Sequence, residues 1–240
     1  MKRTATLVLL VSIFALAHGV VCDATDDNIS VSPSVPIQEG AAMRKKLPDP
    51  KSRGIVSLED SLAKRRSVRE YDNTPLSLEE VSQLLWAAQG ITAHWGARTA
   101  PSAGALYPLE VIVVVGNVVD LPPGGYRYDP KGHELAGITL GDLRPQLASA
   151  ALGQSAVRNA AINVVFTAVY QRTTRKYGDR GIQYVHMEAG HAAQNLCLQA
   201  TALGLGTVPI GAFDDEQVGR LLNLPKDERP LYLIPVGKPR

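Results

Sequence analysis

Two continuous apolar runs constrain the fold of this 240-residue chain more than any other feature. Leu109–Val115 has the sequence LEVIVVV, and residues 161–170 have the sequence AINVVFTAVY. Runs of this length, rich in β-branched residues, are typical of strands buried in a sheet. Further strands are predicted at residues 207–210 and 231–236, and a short exposed hairpin is predicted at residues 125–135, which turns through a DPKG sequence.

Helical segments alternate with these strands from residue 55 onward. Ser57 and Ser77 each open a helix with an acidic first turn, and Ser77 forms a capping box with Glu80. The second helix stops at Gly90. A long helix is predicted over residues 182–203 and a short one over residues 214–222. No internal repeat or boundary divides residues 55–240, which are predicted to form one domain.

The N-terminus has the pattern of a secretory signal. Lys2 and Arg3 precede an apolar run over residues 5–17, which small residues follow. This run is shorter than the roughly 20 residues of a membrane span. We therefore expect a signal peptide over residues 1–24, with the cleavage site open, and an exported protein, periplasmic or secreted, without a stable membrane span after cleavage. Residues 25–54, rich in Pro, Gly and Ser, are predicted to be a flexible arm.

Charge and cysteine content exclude some classes of protein. The net charge of +2 forms no basic stripe of the kind that nucleic-acid binding requires. The two cysteines, Cys22 and Cys197, provide neither a disulfide framework nor a CxxC metal site. Cys197 lies in an apolar helical pattern, which indicates a small core residue.

A basic cluster occupies residues 65–71, with the sequence RRSVREY. The pattern predicts a helix end that runs into a loop, with Arg65 and Arg69 on one face. Two interpretations are open: a basic surface turn, or a site that holds an anion. A second basic pair, Lys238 and Arg240, follows the last predicted strand directly.

The segment from His186 to His191 contains a pattern similar to a metal site. The two histidines are too far apart for the HExxH arrangement on one helix face. Glu188 and His191 match a Glu-x-x-His unit, but a di-iron site needs a second copy, which the chain lacks. No metal site is predicted. Glu188, His191 and Asn195 are instead expected to form a buried, hydrogen-bonded polar stripe at a helix contact.

Two small-residue loops suit a planar ring. Residues 99–108, TAPSAGALYP, enter a buried strand, and residues 209–213, PIGAF, leave one with backbone N–H groups free. Each loop alone is also compatible with an ordinary tight turn. Flavin mononucleotide (FMN) needs cations at its phosphate and donors near N5. The chain offers both.

With these residues in place, the sequence resembles the FMN-dependent nitroreductase family. It is most similar there to the azoline dehydrogenases of streptolysin-type peptide biosynthesis, which oxidise thiazolines and oxazolines. The resemblance runs from about residue 57 to residue 240. Its ordered blocks are RRSVREY at 65, PSAGALYP at 101, KYGDRGIQY at 176, EAGHAAQNL at 188, LGLGTVPIGAF at 203 and VGKPR at 236.

The resemblance implies an α+β fold with a central, mainly antiparallel sheet packed by helices, and a homodimer with FMN sites at the interface. It also implies contacts with the phosphate and ribityl chain, the pyrimidine side of the ring and the N5 region. By the resemblance, the phosphate and ribityl chain would be contacted by Arg65, Arg66, Ser67, Arg69, Lys238 and Arg240. The pyrimidine side of the ring would be lined by Pro101, Ser102, Ala103, Gly104 and Leu106. The N5 region would face Pro209, Ile210, Gly211 and Ala212.

Lys176 and Tyr177 match the Lys-Tyr pair with which azoline dehydrogenases abstract a proton. The alternative for this pair is a surface loop before the long helix. By the resemblance, hydride passes between flavin N5 and a substrate, with NAD(P)H as a candidate electron donor.

The implied function is an FMN-dependent oxidoreductase of the nitroreductase or azoline-dehydrogenase type. Its substrate would be a small molecule or a peptide heterocycle. Peptide-heterocycle oxidation normally takes place in the cytosol, whereas this chain carries an export pattern, so the azoline substrate stays open. The alternative function is a non-catalytic periplasmic protein that binds flavin or another small ligand.

Overall fold

A computed structural model of the chain describes residues 35–36 and 43–240. An eight-stranded sheet organises them, in the order β1-β5-β4-β3-β6-β8-β7, with β2 also paired to β5. Every pairing is antiparallel. The strands are β1 (Val35–Pro36), β2 (Arg44–Lys46), β3 (Leu109–Val115), β4 (Gly124–Asp129), β5 (Glu134–Leu140), β6 (Ile162–Val169), β7 (Gly206–Thr207) and β8 (Glu228–Gly237).

Helices cover both faces of the sheet. Alternate residues of β3 point to opposite faces, so Val111, Val113 and Val115 pack with α2 and α6, whereas Ile112 and Val114 pack with α3, α4 and α7. This explains why the five consecutive residues Val111–Val115 of the strand are all apolar. The helices are α1 (Leu58–Lys64), α2 (Leu78–Gln89), α3 (Arg144–Ala150), α4 (Ser155–Asn159), α5 (Gln171–Tyr177), α6 (Arg180–Ala202) and α7 (Asp215–Leu221).

The predicted α+β fold with its antiparallel sheet is confirmed. The capping box at the start of α2 forms, because Ser77 Oγ accepts from Glu80 N and the Glu80 carboxylate accepts from Ser77 N. The same helix ends at Gly90, as expected. None of the helices among residues 35–36 and 43–240 is long and apolar enough to cross a membrane.

Other predictions were wrong in part. The hairpin is longer than expected, and β4 lies between β3 and β5, so Tyr126 and Tyr128 are buried rather than exposed. The strand at 207–210 shortens to Gly206–Thr207 with a single bridge from Ile210. Helices α3 and α4 were not predicted, because they are short and follow no clear apolar period.

The expected signal peptide lies outside the described residues, and the expected arm is described only at residues 35–36 and 43–54. There the chain differs from a free tether. Strand β2 pairs with β5, and Leu47 enters the core. The side-chain amide of Gln83 in α2 bonds the Lys51 backbone twice: its oxygen accepts from Lys51 N at 2.8 Å, and its nitrogen donates to Lys51 O at 3.1 Å.

Candidate active site

Residues 65–71, which we call the arginine segment, run from the end of α1 along β7 and the end of β8. Val68 N–H donates to Thr207 O at 2.9 Å. Further along, Tyr71 forms an antiparallel bridge with Pro239. Backbone pairing therefore brings together the arginine segment, strand β7 and the C-terminal stretch that carries Lys238 and Arg240.

Two glycines allow this close approach. Gly206 of β7 and Gly237 of β8 are paired across the sheet. A Cβ on Gly206 would lie 2.7 Å from the Val68 side chain, and one on Gly237 would lie 2.8 Å from the Tyr71 ring. Real Cβ atoms do not approach other atoms so closely, so any larger residue would push the arginine segment away from the sheet.

The basic side chains of this region differ in their present partners. Arg66 donates to two carbonyls at the end of α1, at 3.0 and 2.7 Å. Lys238 pairs with Glu80 of the α2 capping box. Within the described residues, no hydrogen bond or ion pair engages the side chains of Arg65 and Arg69. The exposed members of the predicted set are Arg66, Ser67, Arg69 and Arg240, while Arg65 and Lys238 are half-buried.

Residues 99–108, which we call the ring loop, hold an unusual backbone. Gly104, Ala105 and Tyr107 have φ values of 63°, 52° and 46°. Non-glycine residues in this left-handed region cost about 1–3 kcal/mol each, and such strain concentrates at functional sites. The Ser102 hydroxyl stabilises the turn by accepting from Tyr107 N at 2.9 Å. Among the predicted contacts, Pro101 and Gly104 are exposed, and Ser102, Ala103 and Leu106 are half-buried.

Lys176 and Tyr177 form the last turn of α5 rather than a surface loop. Both side chains lie over the ring loop, because a Cβ on Gly104 would be 2.8 Å from Tyr177 OH and 3.1 Å from Lys176 Nζ. The Tyr177 ring packs edge-on against Tyr184 of α6 at 5.2 Å, and Lys176 Nζ lies 5.4 Å from the centre of the Tyr177 ring. The structure thus brings together two predicted groups that are distant in sequence.

Arg172 anchors α5 to the ring loop. Its guanidinium donates to Tyr107 O at 3.1 Å and pairs with Glu110 of β3 at 2.6 Å. Glu110 also contacts Arg127 of β4 at 3.6 Å, and Arg127 pairs with buried Glu228 of β8 at 3.0 Å. A chain of ion pairs therefore connects the helix that carries Lys176 and Tyr177 to the centre of the sheet. Arg172 was not predicted as a site residue, because no sequence pattern near it indicates these distant partners.

The second predicted loop, at residues 209–212, offers fewer free N–H groups than expected. Pro209 has none, and Ile210 N donates to Leu233 O at 2.8 Å. No backbone hydrogen bond within the described residues uses the N–H of Gly211 or Ala212. Both residues are exposed, and the space beside Gly211 is open to 4 Å around the position of a Cβ.

The expected polar stripe on α6 is only partly confirmed. Glu188 is buried, and half-buried Asn195 donates to Thr99 O of the ring loop at 3.3 Å. His191 is exposed, so its predicted burial was wrong. Within the described residues, no three His, Cys, Asp or Glu side chains are grouped as metal ligands.

Glu188 lies beside the ring loop, a position that sequence reasoning missed. Burial raises the pKa of its carboxyl from the ordinary 4.5 to about 7, while Ser102 and Arg98 act in the opposite direction. A signal was present in the sequence. Glu188 occupies the same stripe of α6 as the buried residues Val185 and Ala192, and an acid on a buried apolar face is rare unless it has a role.

The family assignment follows from comparison with known proteins. The profile of the nitroreductase family matches residues 62–238. This chain belongs to the nitroreductase family. The nitroreductase-family protein MJ1384 of Methanocaldococcus jannaschii is 49% identical over 83% of the chain and 98% of its own length. A nitroreductase-family structure from Ralstonia eutropha has a TM-score of 0.73 and 30% identity, and the match covers 87% of this chain and 99% of that one.

More distant relatives have names that state a function. The FMN reductase [NAD(P)H] of Bacillus subtilis is 28% identical over 75% of this chain and 64% of its own length. The microcin B17-processing protein McbC of Escherichia coli is 27% identical over 64% of this chain and 58% of its own length. The chain is therefore related both to flavin oxidoreductases and to a peptide-processing protein.

Proposed function

We propose that this protein is an FMN-dependent oxidoreductase that transfers hydride between a substrate and flavin N5. When bound, FMN supplies a two-electron carrier that exchanges hydride at N5. NAD(P)H is the proposed electron donor where the enzyme works as a reductase. Membership of the nitroreductase family and similarity to an FMN reductase support this class of reaction.

The chemistry of the described residues supports FMN as the cofactor. Arg65 and Arg69 have no other partner within the described residues and would hold the phosphate, with Ser67 and Arg240 beside them. Lys238 would join them by leaving Glu80. The open space beside exposed Gly211 would let a planar ring approach its backbone, and the free N–H of that residue would donate near N5.

The observation that carries the proposal is the position of Lys176 and Tyr177 over Gly104 of the ring loop. Oxidation of a C–C or C–N single bond to a double bond removes a hydride and a proton, so the step needs a base to take the proton. The Tyr177 hydroxyl and the Lys176 amine lie together at the loop expected to line the ring. In our proposal they move that proton, which favours a dehydrogenase acting on a heterocycle, of small-molecule or peptide origin, over a simple nitro-compound reductase.

Purification and a reductant titration test the cofactor. The protein is expected to be yellow, to contain about one FMN per chain, and to bleach on anaerobic addition of NADH, NADPH or dithionite. A flavin that binds but is reduced only by dithionite, with no substrate turned over, would favour the alternative of a non-catalytic binding protein. A colourless protein that does not bind added FMN would contradict the whole proposal.

We also propose a homodimer with FMN sites at the interface. The observation in support is a set of exposed apolar side chains just before and on α1 and on α6, which a second chain would cover. A molar mass from light scattering equal to that of one chain would contradict this proposal. The exposed residues are Ile55, Leu58, Leu62, Ile182 and Met187.

Export is proposed on the N-terminal sequence pattern alone. The mature protein is expected outside the cytoplasmic membrane and without its first 17 or more residues. N-terminal sequencing of protein from each cell fraction tests this. Intact Met1 on soluble cytoplasmic protein would contradict it.

A further inference from the structure

Glu188 is a buried acid that the proposed hydride chemistry does not use. Its side chain is only 2% exposed, and its Oε1 atom has no hydrogen-bond partner among the described residues. Of the buried unpartnered side-chain atoms in the described part of the chain, this one alone belongs to an ionisable group. An ionised carboxylate that is buried with one oxygen unsatisfied is strongly unfavourable, so the neutral acid is the favoured form there.

The groups that face Glu188 explain why it keeps its proton. Arg98, in the loop after α2, is the nearest positive charge. Its guanidinium is committed elsewhere, because it donates to Gln89 Oε1 at 2.9 Å and lies 4.5 Å from the centre of the Tyr107 ring. Burial lowers the pKa of Arg98, the negative charge of Glu110 on β3 raises it, and the positive charge of Arg172 on α5 lowers it. Arg98 therefore lowers the pKa of Glu188 without pairing with it.

Glu188 faces the ring loop from α6. Tyr184, one turn before it, packs on Tyr177 over Gly104. Asn195, two turns after it on the same face, donates to Thr99 O at 3.3 Å.

Ser102 is the residue of this loop whose hydroxyl lowers the pKa of the Glu188 carboxyl. Its hydroxyl can donate one hydrogen bond and accept two, and one acceptor position is filled by Tyr107 N at 2.9 Å. A protonated Glu188 can fill the second, which leaves the Ser102 hydrogen free to donate outward. An ionised Glu188 instead draws that hydrogen inward. The protonation state of Glu188 thus decides whether Ser102 donates to the loop surface.

We propose that Glu188 is a positioning residue that keeps Ser102 as a hydrogen-bond donor toward a planar heterocycle bound on the ring loop. This role rests on the flavin site proposed above and extends it to a specific donor and its control. The chemical class of ligand is a flat ring with an acceptor atom at its edge. A single turn of the Ser102 hydroxyl removes that donor without moving the backbone.

The test compares wild type, Glu188→Gln and Ser102→Ala as full chains. FMN affinity is measured from pH about 5.5 to about 8.5, a range that brackets the carboxyl titration. Wild-type affinity is expected to fall about three- to tenfold as pH rises, because one neutral hydrogen bond to the ligand is lost. The glutamine amide introduced by Glu188→Gln donates to Ser102 at every pH, so this variant should keep the tight, low-pH value throughout. Ser102→Ala should be weak throughout.

The phosphate of FMN itself titrates near a pKa of about 6. The ratio of the wild-type Kd to the Glu188→Gln Kd cancels this effect, and the same series with riboflavin, which lacks the phosphate, repeats the measurement without it. A constant ratio across the pH range would overturn the proposal. So would a Ser102→Ala variant that retains the wild-type pH dependence.

An independent readout separates this inference from the proposed function. Infrared difference spectra of ligand-free protein should show a protonated carboxyl band that disappears as pH rises through about 7 and that Glu188→Gln lacks. Absence of this band from wild type would overturn the role of Glu188 even if FMN binds. A band without any FMN binding, at any pH and in any variant, would overturn the flavin function and with it the ring-facing half of the proposal.

Discussion

The arginine segment and the ring loop differ in how the fold holds them. Backbone pairing places the arginine segment, since Val68 bonds Thr207, Tyr71 bridges Pro239, and paired glycines make room for both contacts. Side chains place the groups at the ring loop, where α5 and α6 deliver Lys176, Tyr177 and Glu188 to a strained turn.

This difference separates binding from chemistry. Cations on a backbone frame can lose one member and keep the frame, so a substitution in the arginine segment should change affinity in steps. The groups at the ring loop act through particular atoms at particular positions. A substitution of Lys176 or Tyr177 should therefore change rate with little effect on affinity, and one of Glu188 should change the pH dependence of affinity. The predictions below test this separation, from the largest expected effect to the smallest.

The largest effect is expected from Lys176→Ala and Tyr177→Phe. Both variants should bind FMN normally and remain reducible by dithionite. Oxidation of an azoline substrate should slow by about 10²- to 10⁴-fold, the usual contribution of general acid–base catalysis. Steady-state rates of azoline oxidation and of nitro-compound reduction, measured on both variants, check this.

Nitro-compound reduction by the same two variants is the internal control, because it needs little beyond the flavin and an open pocket. It should stay near the wild-type rate. Near-wild-type rates in both reactions would remove Lys176 and Tyr177 from the catalytic residues and leave a generic flavin reductase.

The second prediction concerns the pH dependence of stability. The folded protein raises the pKa of Glu188 from 4.5 to about 7, so below pH 4.5 both folded and unfolded chains hold the proton. Between pH 4.5 and about 7 the unfolded chain ionises this carboxyl while the folded chain keeps it protonated, and above about 7 both chains are ionised. The free energy of unfolding of wild type should therefore fall, relative to Glu188→Gln, by up to about 3 kcal/mol between these limits.

Urea unfolding of both proteins at several pH values measures this difference. Glu216→Gln is the matched control, because the Glu216 side chain is 86% exposed on α7. It should follow wild type at every pH. A Glu188→Gln variant with the same pH profile as wild type would show that the carboxyl ionises freely in the folded protein.

The third prediction separates two neighbouring arginines. Arg65→Ala should weaken FMN binding about 10- to 100-fold, because a charge-assisted hydrogen bond contributes about 1.5–3 kcal/mol. Arg66→Ala should change affinity by less than about threefold, since its guanidinium is already bonded to the end of α1. Isothermal titration with FMN measures both. Equal losses would show that Arg66 leaves α1 to join the phosphate.

The sequence predicted what local rules determine. The capping box at Ser77 and the end of α2 at Gly90 are set by neighbours along the chain, and the structure has both. Helix α1 already ends at Lys64, however, so Arg65 and Arg69 do not share a helix face as predicted. The continuous apolar run Val111–Val115 of β3 indicated burial on two faces, and helices cover both.

What failed depends on contacts between distant segments. The β4–β5 hairpin lies inside the sheet because the supposed arm adds β2 beside it, which no period in the hairpin itself shows. Likewise, no local pattern indicates that Arg66 caps its own helix, or that Glu188 faces Ser102. The residues of the arginine segment were therefore easier to identify than the partners of the ring loop.

The smallest effect is expected at Arg172, whose side chain connects α5 to the backbone of the ring loop and to β3. Its pair with Glu110 is part-exposed, and such pairs contribute about 0–1 kcal/mol to stability. Arg172→Ala should therefore leave the free energy of unfolding nearly unchanged. It should still slow substrate oxidation several-fold, because α5 loses its bond to Tyr107 O and the Lys176–Tyr177 pair loses its position.

Arg172→Lys is the matched variant, since lysine keeps the charge but lacks the planar fork that contacts Tyr107 O and Glu110 together. If position matters, Arg172→Lys should likewise leave stability nearly unchanged and should recover the rate only in part, with KM unchanged. Equal rates in wild type and Arg172→Ala would mean that the packing of Tyr177 on Tyr184 is enough to hold the pair. The ring loop would then depend on α6 alone, through Tyr184 and Glu188.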